Sequence, residues 1–219
     1  DDWESKELKQ RMRHTTHCLG ATLPKDYPTA LVILTKIAPN FGGFDAMVFP
    51  DFVECYGLDD WDISIPALGL FTKLASSEFA IRPFLQKDPE KGMYQMRRWA
   101  KDKNLHLRRL ASEGCRPRLP WAMALSGFKK DPKLIIPVLE VLKDDPSEYV
   151  RKSVANNLND ISKDHPGLVL VLCEQWLEQN KNRDWIVKRA CRSLLKAGNT
   201  RALLLFGFGD PEHIVVNNL

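Results

Sequence analysis

The sequence predicts an all-α fold: a right-handed α-solenoid of stacked helix pairs with a basic concave face. Three observations lead there. Helix-period patterns recur between turn signals, and no stretch shows sustained apolar/polar alternation. The C-terminal half repeats, with Leu107-Arg108-Arg109-Leu110-Ala111 aligning with Val150-Arg151-Lys152-Ser153-Val154 and with Val187-Lys188-Arg189-Ala190-Cys191, at spacings of 43 and 37 residues. Charge is uneven: Asp1 to Asp60 carries a net −4, Arg97 to Lys130 a net +8 and Arg183 to Arg201 a net +5.

The elements follow in order. Glu4 to Leu19 mixes apolar and polar residues on a helical period, until Pro24 and Pro28 break the chain. Tyr27 to Ala38 reads as a buried helix ending before Pro39. Phe44 to Tyr56 is another, closed by Gly57. Ile63 to Leu74 continues helically, with Pro66 placed in its first turn. Ser76-Ser77-Glu78 looks like a helix start before Phe79 to Gln86. Met93 to Lys101 and Leu105 to Glu113 follow. Gly114, Pro117 and Pro120 then make a rigid, non-helical insert. In the repeats, Met93 to Lys101, Leu134 to Lys143 and Leu168 to Gln179 each precede a helix that opens on an adjacent basic pair. Helix pairs recurring at about 40 residues are the pattern of a HEAT-like solenoid. Stacking brings equivalent helices side by side, so the basic pairs fall on one wall. That wall suits a polyanion such as DNA or RNA; the plainer reading is a set of solvated helix faces.

The chain has 219 residues, 44% hydrophobic and 27% charged, which suits one domain spanning 1–219. Its N-terminal helices occupy about 1–75 and its basic repeats about 76–210. The sequence does not begin with Met, so leading residues are expected to be missing. No apolar run reaches the ~20 residues of a membrane span, and the acidic start lacks the pattern of a secretory signal. The five Cys, at 18, 55, 115, 173 and 191, form no C-x-x-C pair, which argues against a disulfide scaffold or zinc cluster and fits a reducing cytoplasm. The five His, at 14, 17, 106, 165 and 213, offer only His14 and His17 at helical ligand spacing, so no metal is expected. Nucleotide-binding glycine loops and the H-E-x-x-H and G-x-S-x-G signatures are absent.

Two acids stand out on the basic wall. Glu113 is the one carboxylate between Asp102 and Asp131, inside Arg108-Arg109-Leu110-Ala111-Ser112-Glu113-Gly114-Cys115-Arg116-Pro117-Arg118-Leu119-Pro120-Trp121. An anion-binding surface gains nothing from a negative charge unless something cationic must be stabilised. The alternative is a helix-end acid paired with Arg109 or Arg116. Arg116, Pro117, Arg118, Pro120 and Trp121 look like a stiff presenting loop, with Arg for phosphates and a flat indole for a base or sugar; Trp121 as plain core is the other reading. Asp160 repeats the oddity. Positions 150, 154, 158 and 161 make the core stripe of its helix, while Asn156, Asp160 and Lys163 recur along a polar face. In the repeat register Glu113 matches Asn156, one turn before Asp160, so the two acids could lie near each other. Asp160 could instead simply pair with Lys163.

The segments Leu110 to Trp121 and Val150 to Pro166, with the Asp184-Trp185 to Arg192 helix and the closing Arg201 to Phe208, resemble the AlkC branch of the HEAT-like DNA alkylation repair glycosylases, related to AlkD. The resemblance covers nearly the whole chain. It implies a monofunctional glycosylase that releases cationic alkylated bases, chiefly 3-methyladenine and in this branch 3-methylcytosine, from double-stranded DNA, as a monomer with no cofactor and no membrane partner. It carries the acidic positions over to Glu113 and Asp160, and less securely to Glu78. Trp121 and Trp185 would contact base or sugar; Arg108, Arg109, Arg116, Arg118, Arg151, Lys152, Lys188 and Arg189 would contact the DNA backbone. Some members carry an immunoglobulin-like domain after the repeats; this sequence stops at Leu219, and none is expected within it. A non-catalytic HEAT scaffold for nucleic acid or an acidic protein remains the competing expectation.

Overall fold

The computed structural model describes residues 3–209, which form fourteen α-helices and three short 3₁₀ turns, with no strand among the described residues. The helices are α1 (Leu8–Thr22), α2 (Tyr27–Ile37), α3 (Val48–Tyr56), α4 (Trp61–Phe71), α5 (Ile81–Lys87), α6 (Pro89–Trp99), α7 (Leu105–Glu113), α8 (Ser126–Lys130), α9 (Ile136–Leu142), α10 (Glu148–Ser162), α11 (Pro166–Trp176), α12 (Lys181–Ala190), α13 (Arg192–Lys196) and α14 (Thr200–Leu205). His213 lies outside the described residues.

The repeat is real. Helix α10 packs between α7 on one side and α12 on the other, while α6, α9 and α11 are the partners behind them. The facing residues explain the stacking: Leu107, Leu110, Val150, Val154, Leu158, Ile161, Ile186, Val187 and Ala190 are all buried. The predicted 150-154-158-161 stripe is therefore core. A side-chain oxygen caps both flanking helices of this wall: Asn104 accepts from the His106 amide at 2.9 Å, and Asn180 from the Asn182 and Arg183 amides at 3.0 Å. Even the bracing repeats. Arg108 donates to the carbonyls of Asp102 and Lys103, and Arg151, its equivalent, to those of Asp145 and Pro146. Each arginine closes the loop before its own helix, and Arg108 also joins its repeat to the next through Asp145 at 2.6 Å.

Several boundaries differ from the sequence expectation. The first helix begins at Leu8 rather than Glu4, because residues 3–5 form a 3₁₀ turn. Pro66 lies inside α4, not in its first turn, since the helix starts at Trp61. Helix α6 starts at Pro89, capped by Asp88, whose carboxylate accepts from the Lys91 amide at 3.0 Å. Residues 78–80 are a turn, so α5 begins only at Ile81. The short helix α8 went unforeseen between the prolines of the insert and Pro132.

Candidate active site

The site forms where α1, the turn before α5, the end of α7, the insert and the start of α10 meet. A pocket of about 410 Å³ opens there, and Glu78, Arg109, Glu113, Arg116, Trp121 and Tyr149 are among its walls. Gly114 lets α5 approach the end of α7 closely: a Cβ there would stand 2.6 Å from Ile81 and 3.0 Å from the Leu110 carbonyl. Arg82, fully buried, then pins the insert. Its Nη1 donates to the carbonyls of Gly114 (3.0 Å) and Arg116 (2.8 Å), and its Nε to that of Met123 (2.8 Å). Nothing in the local sequence signals this role, because Arg82 reads as one more charge on a short helix.

Glu113 is 5% exposed and fully engaged. Oε1 accepts from Arg116 Nη1 at 2.6 Å and lies 3.4 Å from Arg109 Nη2, while Oε2 accepts from Ser153 Oγ at 2.5 Å. Asp160 is 2% exposed, and its Oδ2 accepts from Arg116 Nε at 2.8 Å. One guanidinium thus spans the two acids. They are near each other, as the repeat register implied, but Asp160 is buried behind Arg116 rather than displayed on a polar face, and the pocket wall does not include it. Lys163 stays 3.9 Å away and half in solvent. Burial raises the Asp160 carboxyl above its ordinary value of 3.8, and Arg116 opposes that rise without cancelling it. For Arg116 itself burial favours loss of charge, but Asp160 and Glu113 together outweigh it and hold the guanidinium more firmly protonated than usual.

Glu78 completes the acidic wall. Its Oε2 pairs with Arg109 Nη1 and accepts from Ser76 Oγ at 2.6 Å. Arg109 also lies 5.1 Å above the Tyr149 ring. Three carboxylates meet two guanidiniums here, Glu78 and Glu113 at Arg109, Glu113 and Asp160 at Arg116, with Lys163 a third cation 3.9 Å from Asp160.

Trp121 is no core residue. It is 73% exposed at the pocket mouth, held at a left-handed φ of 61°. Its carbonyl accepts from Lys9 Nζ at 2.7 Å, and Lys9 also sits 4.4 Å over the Phe79 ring. The N-terminal region therefore supplies a wall of the site through Leu8, Lys9 and Met12, with Phe44 and Met47 beside them. Sequence reasoning singled out none of these residues, nor Tyr149 and Phe79; single residues on separate elements leave no local pattern. Trp185 does not join them. It packs partly buried on α12 beneath Arg189, 5.6 Å from the ring, away from the pocket.

Most of the arginines expected on the DNA backbone are already engaged. Arg108 binds Asp145, Arg118 binds Asp164 at 2.6 Å, and Arg151 binds two carbonyls. Lys152 pairs with Glu148 at 2.9 Å on an exposed face. Arg189 reaches Asn156 at 3.3 Å, and Lys188 is exposed. No group of three or more His, Cys, Asp and Glu residues is arranged to hold a metal ion among the described residues. Nor is any helix there long and apolar enough to cross a membrane.

Comparison with known proteins agrees with this geometry. The family model for DNA alkylation repair enzymes matches residues 75–194, the span from Glu78 through Asp160 to α13. The uncharacterized protein YhaZ of Bacillus subtilis is 51% identical over the whole chain, which spans 61% of that relative's length. Among solved structures, the Pseudomonas fluorescens alkylpurine DNA glycosylase AlkC, bound to DNA containing an abasic site analog, superposes with a TM-score of 0.88 at 48% identity, over 94% of this chain and 58% of that one. AlkD2 from Streptococcus mutans superposes at 0.61 with 26% identity, over 85% of this chain and 90% of that one. The matched family span holds all three carboxylates and the repeat wall that carries them, and on that match the chain belongs to the DNA alkylation repair enzyme family.

Proposed function

We propose that the chain is the catalytic helical-repeat part of a monofunctional DNA glycosylase. It hydrolyses the N-glycosidic bond of cationic alkylated bases, 3-methyladenine and 3-methylcytosine, in double-stranded DNA. The observation that carries this reading is the pair of carboxylates, Glu78 and Glu113, that border a pocket with aromatic walls. The family membership and the similarity to AlkC support it.

The chemistry follows from the charge. A base alkylated to a cation leaves as a neutral molecule, so no general acid is needed. The sugar becomes electron-poor as the bond breaks. A carboxylate about 4 Å from that centre, at an effective dielectric near 20, contributes roughly 4 kcal/mol of attraction. Expressed only in the transition state, that is close to a thousandfold in rate at ~1.36 kcal/mol per tenfold. Glu113 and Glu78 border the pocket and are placed to act directly; either can also orient the attacking water. Asp160 acts through the shared Arg116. No cofactor enters these steps. Duplex DNA is held as a protein monomer through phosphate contacts from residues such as Lys188, Arg189 and Lys152, which set position without reading sequence.

A scaffold without catalysis is the second reading, and the burial of Asp160 behind Arg116 is the observation in its favour. Incubation with methylated duplex DNA, followed by chromatography of released bases, separates the two. Free methylated base is expected; salt-sensitive binding with no base released rejects the glycosylase.

A further inference from the structure

We propose that Arg116 is a positioning residue of the site rather than a contact to DNA phosphate: it clamps Glu113 and Asp160 into one ionised pair, and Arg82 holds the loop that delivers it. The inference rests on the glycosylase reading and adds to it an assignment for two arginines.

The geometry argues against phosphate contact. Arg116 has only 8% of its side chain exposed, and its Nε and Nη1 are both taken, one by each carboxylate. A phosphate would have to draw the guanidinium away from two buried acids, leaving both unpaired. The two donors point to opposite partners on adjacent helices, Glu113 at the end of α7 and Asp160 near the end of α10. The planar fork of an arginine makes that span; a lysine, with one nitrogen, does not.

The clamp also meets an electrostatic need. Two buried carboxylates close together would share a proton, as like charges in one low-dielectric site do. The charged groups facing Asp160 are Arg82 from α5, Glu113 from α7, Arg116 from the insert, Lys163 on its own helix and Arg192 from α13. Of these, only Arg116 bonds it directly. Ser153 donates to the far oxygen of Glu113 but brings no charge. Arg82 makes no carboxylate pair and spends its bonds on three carbonyls of the insert, including that of Arg116 itself. Its fixed place behind the loop holds the buried stretch from Gly114 to Pro117, and with it the Arg116 guanidinium.

The test compares wild type with Arg116→Gln and Arg116→Lys. Base release from methylated duplex is followed across pH, and affinity for undamaged duplex across salt. In Arg116→Gln the acid limb of kcat moves up by about one unit or more, and kcat falls at least about tenfold with KM little changed. Affinity for undamaged DNA and its salt slope stay at the wild-type values, and Arg116→Lys is intermediate. The opposite pattern overturns the proposal: an unmoved acid limb with weaker binding and a salt slope smaller by about 1, as a lost phosphate contact gives. If Arg116→Gln does not fold, Arg116→Lys carries the same readouts. If wild type releases no base at all, the glycosylase reading fails by itself. Carboxyl NMR titration of Asp160 then still decides the clamp, which stands if Asp160 titrates higher in Arg116→Lys and falls if it does not.

Discussion

Arg13 and Arg116, one in each half of the chain, each hydrogen-bond two carboxylates. Arg13 on α1 bonds both oxygens of Asp51 and reaches Glu54 at 2.8 Å, while Thr16 donates to Asp51 at 2.7 Å. Arg116 spans Glu113 and Asp160, and Ser153 donates to Glu113. The components are the same: one guanidinium, two acids and a hydroxyl. Their settings differ. Arg13 is 39% exposed, so water shares its charge, and Asp51 is sealed under α1 with 1% of its side chain exposed. Arg116 is buried, and Glu113 opens onto a pocket that also holds Glu78 and Tyr149. The first cluster ties α1 to α3. The second ties α7 to α10 and leaves a carboxylate where a ligand can meet it. An arginine between two acids is therefore no mark of function; access from a pocket is what separates the two.

Neutralising one acid in each cluster is the strongest way to break this comparison. Glu113→Gln is expected to slow base release by about two to three orders of magnitude, the loss of one close carboxylate in the transition state. Asp51→Asn is expected to leave base release per folded molecule unchanged. It should instead lower stability by on the order of 2 kcal/mol, below the usual cost of breaking a buried pair because Arg13 reaches solvent. Single-turnover kinetics and urea midpoints measure both. Slowed chemistry in Asp51→Asn, or undiminished chemistry in folded Glu113→Gln, would erase the distinction.

Acid sharpens it next. Because burial raises the Asp160 carboxyl, base release should begin to fall above the ordinary value near 3.8. Ionised Asp160 costs stability above its raised value, and that cost disappears as pH falls. Asp144 and Glu174, held low by their hydrogen bonds to Arg183 and Arg201, behave in the opposite way. Their stabilisation is complete above their ordinary values of 3.8 and 4.5 and is lost only as pH falls below these. Activity should therefore fade on acidification before helicity does. Circular dichroism and base release recorded on one pH series test the order; coincident loss would contradict it.

The hydroxyls give the smallest contrast. Ser153→Ala and Thr16→Val each remove one hydrogen bond to a buried carboxylate, worth about 1 kcal/mol of stability. Only Ser153→Ala should also change the rate of base release, by a few-fold.

Much of this was legible before any coordinates. The 43-residue repeat appears as matched bracing by Arg108 and Arg151, and the 150-154-158-161 stripe as core, because helical period and burial are local consequences of residue order. Glu113 and Asp160 were visible as acids stranded among bases. The pairing of Glu113 with Arg109 or Arg116 was one of the readings its sequence neighbours offered, and both pairs form. That Arg116 also reaches Asp160, 44 residues on, was not legible. Tyr149, Phe79, Lys9 and Phe44 sit on four separate elements, so no spacing rule could gather them.

By itself, then, the order of residues determined most of the helices, their pairing and the two acids set among bases, since each follows from contacts within a repeat or between neighbouring repeats. Which side of the wall each charge faces was decided by the folded chain. Burial and pairing energies depend on distance in space, and Arg82, Arg116 and Asp160 stand 34 and 44 residues apart before folding brings them into contact.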